Sequence, residues 1–270
     1  MSVSFLGMEI SLYGLAFFLG IAVAAALAVS LFNKNGISIH TLALSALYTI
    51  VSAMLGAKLL YIAVTWSAIV EWARFMILSG NSYFEVFLEL MQGGFVFYGG
   101  LIGGILGLFI YCRQFKMPLL KIFDIYAVVL PLGHALGRVG CFFGGCCYGM
   151  PYDGVLSYKY FVTPENGGAA GLYGKSLFPV QLFESAFLIA IFLLLYVLYR
   201  KFSHSEGLFT FLYAVLYSIS RFILEFFRYD SIRGAYLGLS TSQWISLILV
   251  IGAGVFLYFN LRRKYNLPLE

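Results

Sequence analysis

The chain has 270 residues, of which 61% are hydrophobic and 11% charged, with a mean hydropathy of +0.91 and a formal net charge of +5. Soluble domains carry about a quarter charged residues, so this composition excludes an ordinary water-soluble domain. Its basic residues are spread over loops instead of lining one stripe, which argues against a nucleic-acid partner and marks them as topology signals.

A hydrocarbon layer about 30 Å thick takes ~20 apolar residues per crossing helix. Apolar runs fall at residues 10–32, 41–65, 95–112, 118–139, 179–200, 207–227 and 241–261. They predict an all-α, polytopic transmembrane bundle of about seven helices with outer arm and head loops, one integral membrane domain over 1–270. The first run has neither a basic leader nor a small-residue cleavage site and is read as a retained span. Lys34, then Arg113, Lys116 and Lys121, then Arg200 and Lys201, then Arg262, Arg263 and Lys264 all fall on one side. Opposite them, residues 66–94 carry Glu71, Glu85 and Glu89 against Arg74. The positive-inside rule then sets the amino terminus outside and the carboxyl terminus in the cytoplasm. Segments 66–94 and 150–178 fall outside, and Val70 to Leu90 is the better amphipathic arm.

Gly99, Gly100, Gly103, Gly104 and Gly107 stand at small-xxx-small spacing. They admit close helix packing, or exposure of backbone N–H groups to a ligand phosphate. Ionisable residues inside apolar spans are costly and mark function by default. Here they are Lys58, Asp124, Arg138, Glu184, Arg221, Glu225 and Arg228. Arg221, Glu225 and Arg228 share one helix face as a ladder, either a self-neutralising clamp or a phosphate-binding guanidinium held by a carboxylate. Arg138 has no carboxylate one turn away and is the better anion ligand. His134, one turn before it, reads first as a packing residue and second as a base; His40 and His204 receive no role.

Cys141, Cys146 and Cys147 fall at the predicted outer end of the fourth span. Such a trio admits a disulfide, a metal site, a reactive thiolate beside Arg138, or simple packing of small apolar groups. A zinc site normally takes four ligands and Cys112 lies at the opposite membrane face, so neither metal nor cofactor is expected.

Motifs over nearly the whole chain make it resemble the bacterial prolipoprotein diacylglyceryl transferases. They are Tyr13-Gly14, Gly56-Ala57-Lys58-Leu59, Gly99-Gly100-Leu101-Ile102-Gly103, and Gly137-Arg138-Val139-Gly140 ahead of Gly149. Pro179 with Gln181-Leu182 and Glu184, Arg221 to Arg228 with Asp230, and Ser242-Gln243-Trp244 complete them. The resemblance implies transfer of a diacylglyceryl group from phosphatidylglycerol to a cysteine thiol near a prolipoprotein signal peptide, with glycerol phosphate released. It also implies functional positions for Arg138, Arg221 and Glu225, with Tyr13 lining the same cavity.

The departures are specific. A family histidine is Tyr98 here, and asparagine, asparagine and glutamate after Gly-Arg-x-Gly are Cys141, Gly144 and Cys146. Family arginines in the first two spans are Ser11 and Lys58. On this reading Arg138, Arg221, Glu225 and Tyr98 form the catalytic group, with Tyr98 or a thiolate taking the proton. Tyr13, Lys58, Gly99, Gly100, Gly103, Glu184 and Arg228 bind substrate, and Cys141, Cys146 and Cys147 are candidates for thiol chemistry, including a covalent intermediate on Cys141 or Cys146. The alternative is a diverged relative that binds or transports a small sulfur or thiol compound through the cysteine cluster.

Overall fold

The computed structural model describes residues 2–5, 8–202, 205–229 and 235–265; His204 and Asp230 lie outside the described residues. Each predicted apolar run is a helix: α1 (Leu12–Lys34), α2 (Ile39–Val64), α5 (Phe97–Gln114), α6 (Leu119–Phe143), α7 (Val180–Lys201), α8 (Leu208–Glu225) and α9 (Thr241–Tyr265). Of these, α1, α2, α6, α7 and α8 are long and apolar enough to cross a membrane. The arm expected over Val70 to Leu90 is α3 (Trp66–Leu78) followed by α4 (Tyr83–Gln92). Helices α4 and α5 together form a sixth candidate span bent by 82°, and Thr241–Val255 is a shorter apolar helix. The protein is a multi-pass, mostly helical membrane protein. Its outward side chains fit lipid as solvent: Phe18 is 69% exposed, Leu59 67% and Ile248 65%.

Packing separates two compact units, Phe32–Leu119, and Met1–Leu31 with Leu120–Glu270. In the first, α2 and α5 meet backbone to backbone. A Cβ on Gly99 would stand 2.3 Å from Gly56 O, and one on Gly103 only 2.2 Å from Ser52 O. Helix packing therefore accounts for the small residue at both positions. Gly100 has room, its notional Cβ meeting Ala53 O and Ala57 Cβ at 3.5 Å. Helix α4 starts on a capping box between Ser82 and Glu85, and its C-terminal end is held by Lys58. The Lys58 ammonium donates to the Leu90 and Gly93 carbonyls and lies 5.1 Å from the Tyr61 ring centre and 5.2 Å from that of Phe95. A cation at carbonyls left open by a helix end is both hydrogen-bonded and electrostatically favoured. Helix α3 buries no residue, as suits a surface arm.

In the second unit, α1 crosses α6 at Gly20 and Gly133, where a Cβ on Gly20 would stand 2.9 Å from Gly133 O. Asp124 of α6, 1% exposed, caps α8 from outside that helix: its carboxylate accepts from Gly207 N at 2.7 Å and from Thr210 N and Oγ1 at 2.8 Å. The loop between α6 and α7 is a small folded head in which Tyr158–Lys159 pairs antiparallel with Ser176–Leu177 over a core of Tyr160, Val162, Leu172 and Leu177. Hairpins pair Ser2–Phe5 with Met8–Ser11 before α1, and Ala235–Tyr236 with Leu239–Ser240 before α9.

The glycine seam makes a paired prediction. Gly103→Ala forces α2 and α5 apart and costs about 1–3 kcal/mol of stability. Gly104→Ala, whose Cβ meets Ala53 and Thr49 methyls at 3.5 Å, is tolerated, and melting of the two variants in one detergent compares them.

Candidate functional site

Burying an unpaired charge costs far more than burying a pair, so charged residues in apolar helices meet across helices. In the second unit they meet at Glu184 of α7, which is 1% exposed. Its Oε1 is 3.1 Å from Arg138 Nη2 of α6, and its Oε2 is 3.8 Å from Arg221 Nη1 of α8. Tyr217 OH donates to Oε1 at 3.2 Å. The expectation that Arg138 lacks a carboxylate holds only along its own helix; its partner comes from α7.

The Arg221, Glu225 and Arg228 ladder forms as expected. Arg221 Nη2 pairs with Glu225 Oε2, and Arg228 Nε lies 3.8 Å from the same oxygen. Ser242 at the start of α9 donates to Glu225 Oε1 at 2.7 Å and accepts from Arg221 Nη2 at 3.4 Å. Among the described residues, this network joins three guanidinium groups and two carboxylates. Arg138 Nε and Arg221 Nη1 are buried donors that make no hydrogen bond among the described residues. His134 packs its ring 5.2 Å from that of Tyr217, the packing role expected first.

Beyond the end of α6 the chain turns back over its own last turn, with Gly144 N bonded to Gly140 O at 2.8 Å and Cys146 N to Cys141 O at 3.2 Å. The turn needs left-handed backbone at Gly145 (φ 66) and at Cys147 (φ 56). It brings the sulfurs of Cys141, Cys146 and Cys147 within 4.8 Å of one another, all unbridged. Cys147 is pushed down from the ordinary thiol range, first by hydrogen bonds from Cys141 and Cys146 and then by the charges of Arg228 and Arg138. Hydrogen bonds with Cys141 and Cys147 push Cys146 up. Tyr13 lies against this turn: Cβ atoms on Gly140 and Gly144 would stand 3.2 Å from its carbonyl and 3.3 Å from its ring.

Arg138, Arg221, Glu225, Glu184 and Arg228 are therefore one connected network, with Tyr13 and the thiols on the same unit. Tyr98, Lys58, Gly99, Gly100 and Gly103 belong to the other unit, where Tyr98 is half-buried edge-on to Phe97. Tyr217 and Ser242 received no role from the sequence. Tyr217 was open to discovery, since it sits one helical turn before Arg221 on the same face. An apolar groove of about 290 Å³ runs between α7 and α8, lined by residues such as Phe187, Leu194, Leu216 and Ile223, with no charged group in it.

Glu184→Gln removes the charge shared by two arginines and costs about 3–5 kcal/mol of stability. Tyr217→Phe removes one neutral donor and costs about 1 kcal/mol. Unfolding of both variants in mixed detergent micelles measures the difference.

A family model described as prolipoprotein diacylglyceryl transferase matches residues 1–259. Among similar proteins, a phosphatidylglycerol–prolipoprotein diacylglyceryl transferase of Clostridium tetani is 36% identical over 262 residues, covering 95% of each chain. The second such transferase of Clostridium perfringens is 33% identical, covering 93% of this chain and 91% of its own. That of Finegoldia magna is 29% identical, covering 97% and 95%.

Proposed function

From the premise that this chain belongs to the prolipoprotein diacylglyceryl transferase family, we propose that it moves a diacylglyceryl group from phosphatidylglycerol to a prolipoprotein cysteine thiol and releases glycerol phosphate. The observation that carries this reading is the convergence of Arg138 and Arg221, from separate helices, on the single carboxylate of Glu184.

The reaction forms a carbon–sulfur bond at the terminal glycerol carbon and breaks the carbon–oxygen bond to phosphate. The departing oxygen keeps the bonding pair, so a singly charged diester becomes a monoester bearing more charge. Preorganised cations stabilise a leaving group of that kind in proportion to the charge it gains. Arg138 Nε and Arg221 Nη1, buried and making no hydrogen bond among the described residues, are donors for the phosphate oxygens. Glu184 fixes the spacing of the two guanidinium groups, and Glu225 with Ser242 orients Arg221. Tyr13 and Arg228 border the same site. Holding lipid and peptide together supplies the orientation that a slow displacement at carbon requires.

The peptide partner is the signal-peptide end of a prolipoprotein. The protein lies in the bacterial plasma membrane with its amino terminus outside, a reading supported by the one-sided basic segments of the sequence.

The test is transfer of labelled diacylglycerol from phosphatidylglycerol nanodiscs to a lipobox peptide by the purified protein. Arg138→Lys and Arg221→Lys keep the charge but lose the planar fork, and each lowers kcat by about a hundredfold. Absence of transfer by the parent protein, or unchanged rates in both variants, contradicts the proposal.

A further inference from the structure

Thiol alkylation needs a thiolate, and a free cysteine with a pKa near 8.5 is mostly protonated at neutral pH. Neither carboxylate of the arginine network is placed to take that proton. Glu184 is committed to Arg138, Arg221 and Tyr217, and Glu225 to Arg221, Ser242 and Arg228. Beside them stands a group with no part in the phosphate clamp, the three sulfurs of Cys141, Cys146 and Cys147.

Their spacing has a chemical meaning. With zinc–sulfur bonds of about 2.3 Å, three sulfurs around one zinc ion stand ~4 Å apart. These three, all within 4.8 Å, approach that figure. The turn carrying them is pinned from several sides. Tyr160 OH donates to Gly145 O at 2.6 Å, and Gln181 Nε2 of α7 donates to Cys146 O at 2.8 Å. Met150 N donates to Phe227 O at 2.8 Å, and Gly149 bridges Arg228, which ties the turn to the end of α8. Left-handed backbone at Cys147, unusual for a residue with a side chain, is a local strain that this scaffold sustains. Preorganised sulfur ligands with hydrogen-bonded supports are what a metal centre requires.

We propose that Cys141, Cys146 and Cys147 bind one zinc ion whose open fourth position receives the acceptor cysteine and holds it as the thiolate that is alkylated. Among the described residues this group offers three ligands and no more, and Cys112 lies buried in the other unit. Three protein ligands plus one open position is the composition of a catalytic zinc site, whereas closed structural sites use four. Cys146 is exposed, which leaves the trio open to an incoming peptide. Arg138, one turn before Cys141, and Arg228, bridged to Gly149, place positive charge beside a thiolate-rich centre.

The inference rests on the transferase reading. On coordination the acceptor thiol releases its proton to water. Its sulfur then gives an electron pair to the glycerol carbon, the carbon–oxygen bond breaks with its pair going to phosphate, and no oxidation state changes. The thioether product is a poorer ligand than the thiolate and leaves the fourth position open again.

The experiment uses the full-length protein purified under reducing conditions, stripped with chelator and reloaded with Zn²⁺, or with Co²⁺ as a spectroscopic substitute. About one zinc per chain is expected, and Cys141→Ser, Cys146→Ser and Cys147→Ser each weaken binding at least about tenfold. Cys112→Ser retains it. The cobalt form shows thiolate-to-metal charge-transfer bands that intensify with a lipobox peptide and stay unchanged with its cysteine-to-serine counterpart.

Zinc binding unaffected by the three serine substitutions overturns the site, and cobalt spectra indifferent to the cysteine peptide overturn the open position. Metal-free protein that transfers label at the parent rate removes zinc from the reaction while leaving the transferase reading intact. Zinc and peptide binding without any label transfer refutes the transferase reading alone.

Discussion

The carboxylate of Glu184 is the interaction on which the polar interior depends. It is almost wholly buried, and arginines from two other helices and a tyrosine hydroxyl converge on it. A lone arginine in an apolar span is expensive, and two alone would repel. One shared counter-ion makes the pair affordable, and Arg138 Nε and Arg221 Nη1 make no hydrogen bond among the described residues. The second carboxylate, Glu225, repeats the device one turn along α8 with Arg228 and with Ser242 of α9, so α6, α7, α8 and α9 are tied by a single chain of polar contacts.

The remaining architecture serves to place that chain. Helix α8 starts where Asp124 caps it and ends where the cysteine turn is paired to residues beyond Phe226. The polar face of α8 is therefore fixed at both ends by α6 and the turn that follows it. The cysteine turn is in turn bound to the head through Tyr160 and to α7 through Gln181. Ligand-bearing groups supported by hydrogen bonds from rigid elements hold their geometry better than groups on unsupported loops.

Much of this was legible in the sequence, and the division follows range. Helices were readable because an apolar run long enough to cross lipid has few alternatives, and the runs coincide with α1, α2 and α5 to α9. The ladder from Arg221 to Arg228 was readable because helical spacing is local. The pairing of Arg138 with Glu184 was not, since it joins different helices. Lys58 read as a site residue because a charge inside an apolar span suggests function; its bonds to the Leu90 and Gly93 carbonyls at the end of α4 join different helices and were not readable. Residues 150–178 read only as an outer loop because the head's core is four scattered side chains, too sparse for any periodicity. The cysteine trio was visible, but its convergence depends on left-handed turns at Gly145 and Cys147 that no hydrophobic pattern encodes.

That Arg138 and Arg221 act as one unit through Glu184 is tested most directly by a double-mutant cycle on glycerol phosphate affinity. The full-length protein, Arg138→Ala, Arg221→Ala and the double variant are titrated in the same detergent. Two donors gripping one phosphate give a coupling of about 1–3 kcal/mol, the double variant losing much less than the two single losses combined. Strictly additive losses would mean that each arginine meets its own separate surroundings, and would contradict the account.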